Sequence, residues 1–189
     1  MEINEENKPV DYYRDSFINL RNKIYAKTYG VGSIAANRIL DHEYENLCAD
    51  AAGGDVVAQD FLSYWFKNGS EVVPENIEMA MKWQILAGAN GNKLSIEKMF
   101  VLFNGAYDLI VFLKDFDQIS RKLDITKQNY QYILGRLLCE AVVDEMHLNA
   151  LELAETERTK LEFNEFSMRK FDNAIQRATD TVVQYLRKL

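Results

Sequence analysis

An all-α fold is predicted by three features of this chain of 189 residues. Apolar side chains recur at steps of three and four in one segment after another, the period of a single helix face. Only two prolines and nine glycines interrupt the chain, which leaves room for helices and little for the frequent turns of a β fold. The stretch from Ala51 to Gly91 also ends as it begins: Ala51, Ala52, Gly54, Ala58 and Gln59 open it, and Trp83, Ala87, Ala89 and Gly91 close it. Self-similarity of this kind marks stacked helical units, so the expected architecture is a short solenoid of two to three partly degenerate helical hairpins capped by longer C-terminal helices. A content of 48% hydrophobic residues is enough for one all-helical domain over 1–189, with hairpins in 10–117 and capping helices in 125–189.

Taken in order, Met1–Pro9 is a polar lead-in. Tyr13, Phe17, Leu20 and Ile24 share one face of a first helix, which ends near Gly30-Val31-Gly32, and Ser33 is placed to cap the second. That second helix aligns Leu40, Tyr44, Leu47, Cys48 and Ala51, then stops at Gly53-Gly54, where a left-handed residue costs little. Asp55 caps the third helix, whose apolar face is Ala58, Phe61, Leu62, Trp65 and Phe66, and Asn68-Gly69 ends it. After a loop containing Pro74, the fourth runs from about Glu75 to Asn90 and buries Ile77, Ala80, Trp83, Ile85 and Ala87. A fifth, Leu94–Asn104, repeats the third at a shift of 37 residues, so that Gly54, Ala58, Leu62 and Phe66 fall on Gly91, Ser95, Met99 and Phe103. Its partner helix carries Leu109, Phe112, Leu113 and Phe116.

Beyond Asp117 the glycine rhythm stops. Ile125 to about Thr159 and Leu161–Leu189 each read as one longer helix. In the last, Phe171, Ile175, Ala178, Val182, Tyr185 and Leu189 form a four-three seam. The seam can fold back to cover the last apolar face of the stack, which a solenoid requires, or pair two copies as a homodimer through Phe171 to Leu189.

The hairpin from Ala58 to Gly91 resembles a Sel1-like repeat, a tetratricopeptide-like unit. Ala58, Leu62, Ser63 and Phe66 follow its opening pattern of small residue, leucine, small residue and aromatic. Gly69, Ala80, Trp83, Ala87 and Gly91 follow its glycine turn and second helix. Ser63 stands where the family usually has glycine, the second turn glycine is missing, one residue is inserted around Ser70 to Pro74, and Gly88 takes one of the paired alanine positions. The best match covers 51–95. The resemblance implies protein–protein interaction through a concave surface lined by the first helix of each hairpin. On that plan Ala58, Leu62, Phe66, Ala80, Trp83, Ala87 and Gly91 form the structural core of the repeat. Asp60, Tyr64 and Lys67, with Glu97 and Val101 one repeat later, face the partner, and Tyr64 is the expected anchor.

The formal charge of −7 disfavours direct binding to nucleic acid or to an anionic membrane, since both require clustered Lys and Arg. It suits a protein partner with a basic surface, and an inhibitor, immunity protein or antagonist is one form of that reading. No run approaches the ~20 apolar residues that span a bilayer, and MEINEENKPV is polar and acidic, so the expected location is the cytoplasm with Cys48 and Cys139 reduced in the core. No cofactor and no catalytic activity are expected. Glu140, Asp144 and His147 are the only nucleus of an alternative, a metal-binding bundle or enzyme, and they lack HExxH or paired ExxH spacing. His42 is expected at the surface, Gly30-Val31-Gly32-Ser33 lacks the ending of a phosphate loop, and the acidic run from Glu152 to Glu165 reads as a solvated face or a turn. A self-associating scaffold built on the C-terminal seam is a third reading.

Overall fold

The computed structural model describes residues 8–103, 127–155 and 165–188, which form eight helices and no strand. They are α1 (Val10–Ala26), α2 (Ser33–Ala52), α3 (Val56–Asn68), α4 (Ile77–Ala89), α5 (Lys93–Phe103), α6 (Lys127–Met146), α7 (Ala150–Glu155) and α8 (Glu165–Arg187). The expected helix around Leu109, Phe112, Leu113 and Phe116 lies outside the described residues, as do Leu189 and positions 156–164 of the acidic run.

α3 and α4 are the most closely packed pair. Their contacts run from Asn76 N–H on the Phe66 carbonyl (2.7 Å), through Gln84 on Asp60, to Asn90 on Gln59. That order is an antiparallel hairpin. Each helix begins on a side-chain cap: the Asp55 carboxylate accepts from the N–H groups of Val57 and Ala58, and the Asn76 amide oxygen accepts from Met79 N–H. Such caps satisfy donors that the first helical turn leaves orphaned. The residue inserted between the two helices finds its place in a loop held by Ser70, whose hydroxyl accepts from Val72 and Val73 N–H, so that Val73 drops fully into the core.

The junctions at either end of this unit are the same structure, displaced by 37 residues. Gly54 and Gly91 adopt left-handed φ values of 96° and 95°. Asp55 N–H bonds to the Asp50 carbonyl at 3.0 Å, and Asn92 N–H to the Ala87 carbonyl at 2.9 Å. The inner bonds repeat as well, Gly54 to Ala51 and Gly91 to Gly88. Both are helix C-caps in which a glycine without a Cβ takes the left-handed position. Asn92 then caps α5 through Ser95 N–H, as Asp55 caps α3.

Two apolar cores meet at α4. Met79, Ala80, Trp83 and Leu86 join α1, α2, α3 and Leu153 of α7 in the first, while Ile85 and Ala89 join Met99, α6 and α8 in the second. A helix apolar on nearly all sides is a buried one, and α4 holds the central place. α6 approaches it closely at Gly88, where an added Cβ would stand 2.7 Å from the Cys139 sulfur. Gly88 is thus the point where α4 and α6 cross most closely.

Two expectations are corrected. Gly32, not Ser33, is the N-cap of α2, and no side chain caps that helix. Ile125 to Thr159 is not one helix: α6 ends at Met146, His147 takes a left-handed φ of 53°, and Leu148 N–H returns to the Val143 carbonyl. Asn149 then caps α7 by accepting from Leu151 and Glu152 N–H. An asparagine beyond a left-handed residue is a stop followed by a start, and the uninterrupted apolar pattern hid it. The break lets α7 fold back onto α2 and α4, so this half of the chain also braces the front of the molecule.

Candidate partner-binding surface

The residues assigned to the repeat core are all buried: Ala58, Leu62, Phe66, Ala80, Trp83, Ala87 and Gly91. Trp83 is completely enclosed, and its indole N–H finds no acceptor among the described residues. The residues expected to face a partner divide. Asp60 is 1% exposed, which corrects its assignment to an open face. Its Oδ1 accepts from Gln84 Nε2 (2.7 Å), Ser95 Oγ (3.0 Å) and Lys98 Nζ (2.7 Å), and its Oδ2 accepts from Lys98 at 2.8 Å. A buried carboxylate is tolerable only when it is paired and saturated with donors. Asp60 therefore pins α3 to α4 and α5. The sequence signal was present in Lys98, one repeat and one residue further on.

Tyr64 is half-buried because the chain covers it. Phe17 of α1 lies edge-on to its ring (centroids 5.5 Å apart, planes at 86°), and Phe61 flanks it at 5.8 Å. α1 rests across α3 and α5, with Tyr13 and Ile24 fully buried and Tyr25 OH accepting from Trp65 Nε1–H. The first helix thus occupies the face that was expected to be open. Lys67 remains exposed, and Glu97 is exposed but accepts from Tyr132 OH of α6 at 2.9 Å. Val101 lies on α5, and its side chain is outside the described residues. Of the five, Lys67 alone is both exposed and without an ion pair or hydrogen bond among the described residues.

Lys67 lines a cavity of about 330 Å³ with Ser63, Ile77, Ala80, Met81, Gln84 and Lys98. A different feature of the surface went unnoticed in the sequence. Among the described residues, nine large hydrophobic side chains are exposed, and six of them fall between positions 12 and 34: Tyr12, Ile18, Tyr25, Tyr29, Val31 and Ile34. Tyr29 is 90% and Ile34 74% exposed, on either side of the α1–α2 turn.

Elsewhere the side chains are committed to neighbours. Glu140 pairs with Arg136, Glu145 with Arg177, and His147 sits beyond the end of α6 rather than on its face. Among the described residues no three His, Cys, Asp or Glu side chains converge on a metal-binding arrangement. Both cysteines are buried and neither is in a disulfide, and burial pushes the Cys139 thiol up to about 12, with the Glu140 carboxylate adding to the shift. Such a thiol is a packing group, not a nucleophile. Phe171, Ala178 and Val182 of the C-terminal seam are buried in the second core with residues of α6, whereas Tyr185 is exposed. His42 is exposed and lies 3.8 Å from Glu45. Among the described residues no helix is long and apolar enough to cross a membrane. Compared with protein-family models, curated proteins and solved structures, the chain matches none.

Proposed function

We propose that the chain is a noncatalytic protein–protein interaction module of Sel1-like, tetratricopeptide-like build, acting in the cytoplasm, and that it holds its partner with the exposed apolar surface of α1 and the α1–α2 turn. The concentration of exposed Tyr, Ile and Val between positions 12 and 34 carries this reading. Large exposed apolar side chains gathered in one stretch of chain are a feature of binding surfaces. Tyr29 is a suitable anchor, since a rigid aromatic buries much area for little lost entropy. The net charge of −7 favours a partner with a basic surface and would speed the encounter. An inhibitor or immunity-type antagonist of a basic protein is the specific form this takes. The concave-face residue Lys67 is placed outside this contact.

A photo-crosslinking amino acid introduced singly at positions 29, 34 and 67 of the full chain, in its native cells, tests the reading. Crosslinks to one other protein from 29 and 34 but not from 67 are expected. Crosslinks from 67 alone would return the contact to the concave face. Crosslinks only to a second copy of the chain, or none from any position, would overturn the proposal.

A further inference from the structure

We propose that the cavity between α3, α4 and α5 is a binding site for a small anionic amphiphile, one negative group on a compact apolar body, separate from the N-terminal contact surface. Its volume of about 330 Å³ lies at the lower end of the range of small-molecule sites. Ile77, Ala80 and Met81 supply an apolar wall, and among the described residues the charged side chains lining the cavity are Lys67 and Lys98. In a chain with seven more acidic than basic residues, an all-cationic lining runs against the average.

The polar network beneath the cavity decides the sign of the ligand. Ser63 Oγ donates to Gln84 Oε1 at 3.1 Å, and Gln84 Nε2 donates in turn to Asp60. With Ser95 and Lys98 also donating to it, the Asp60 carboxylate is saturated and shut away from the cavity. It fixes the Lys98 ammonium in place and leaves Lys67 uncompensated. An ammonium carries three donors, and both bonds recorded for Lys98 Nζ to a side-chain oxygen end on Asp60, so it retains capacity for a further acceptor. A cation held in position before a ligand arrives loses little freedom on binding it. The negative head therefore belongs at Lys67 and Lys98, and the apolar body against Ile77, Ala80 and Met81. A cationic amphiphile of equal size would meet the uncompensated Lys67 ammonium and, among the described residues, no carboxylate lining the cavity.

Titration of the purified full-length chain with octanoate, followed through the methyl resonances of Met81 and Ala80, tests the site, with octylammonium as the charge-reversed control. Octanoate is expected to give saturable shifts at both methyls, octylammonium to bind at least tenfold more weakly, and Lys67→Glu to weaken octanoate at least tenfold while the resonances of buried α3 residues stay in place. Met81→Trp, which fills the cavity from its half-buried wall, is expected to abolish the octanoate shifts at Ala80. No saturable octanoate shift, equal binding of the two probes, or unchanged affinity in Lys67→Glu would each overturn the proposal. None of these readouts depends on a protein partner, so the site and the N-terminal contact surface stand or fall separately.

Discussion

In the α3–α4 hairpin both helices start on a side-chain cap, and nine of the thirteen residues of α3 are buried. In α1 and α2 neither start carries a side-chain cap, and only Tyr13 and Ile24 of the seventeen residues in α1 are buried. Both pairs join two helices through a turn containing glycine. One caps its helix starts and hides its apolar side chains; the other leaves Tyr29 and Ile34 in water. Residues that hold the molecule together leave a regular trace in the sequence because helix geometry dictates their spacing. Residues free to meet another molecule obey no such spacing, and they lie where the trace is weakest.

The contrast is broken most forcefully at Trp83. Trp83→Ala is expected to cost about 3–5 kcal/mol in urea denaturation, as for other buried aromatics. Trp83→Phe should cost much less than Trp83→Ala, because the indole N–H it removes has no acceptor among the described residues and already carries a desolvation penalty. If the two variants are equally damaged, the nitrogen has a partner and the interior of the hairpin is not as described. Gly88→Ala probes the crossing of α4 with α6. Overpacking against the Cys139 sulfur is expected to cost about 1–3 kcal/mol, and adding Cys139→Ala should recover most of it, since the next nearest atoms to that Cβ are 3.5 Å away. A purely additive double mutant would show that the two helices do not meet there. The smallest effect is expected at the turn: Tyr29→Ser with Ile34→Ser should change unfolding free energy by no more than about 0.5 kcal/mol, as surface substitutions usually do. A loss of 2 kcal/mol would make these side chains part of the fold and remove the basis for a contact surface.

Much of the fold was legible. The buried face of α1, the stops at Gly54, Gly69 and Gly91, the cap at Asp55 and the core of α3 and α4 all follow from local periodicity and turn chemistry. Position relative to distant elements was not legible. Nothing local to Asp60 distinguishes a carboxylate facing a partner from one facing Lys98, and nothing local to Tyr64 reveals that Phe17 will cover it. The same limit explains the break at His147: the apolar pattern runs on through Leu148, and only the left-handed turn and the Asn149 cap divide it. Gly88 sharpened in the opposite direction. A departure from the repeat pattern turned out to be the place where a non-repeating element docks.

The matching junctions at Gly54 and Gly91 give the stretch between them two interchangeable joints. Asn92 reaches back to the Val56 carbonyl at 2.9 Å and ties its ends together, so the segment behaves as a cassette with like couplings at either end. A duplicated copy inserted at one joint would meet the hydrogen-bonding geometry its neighbours already present. Such growth is barred at Gly88, where α6 has closed over α4 and taken the surface that a further cassette would need.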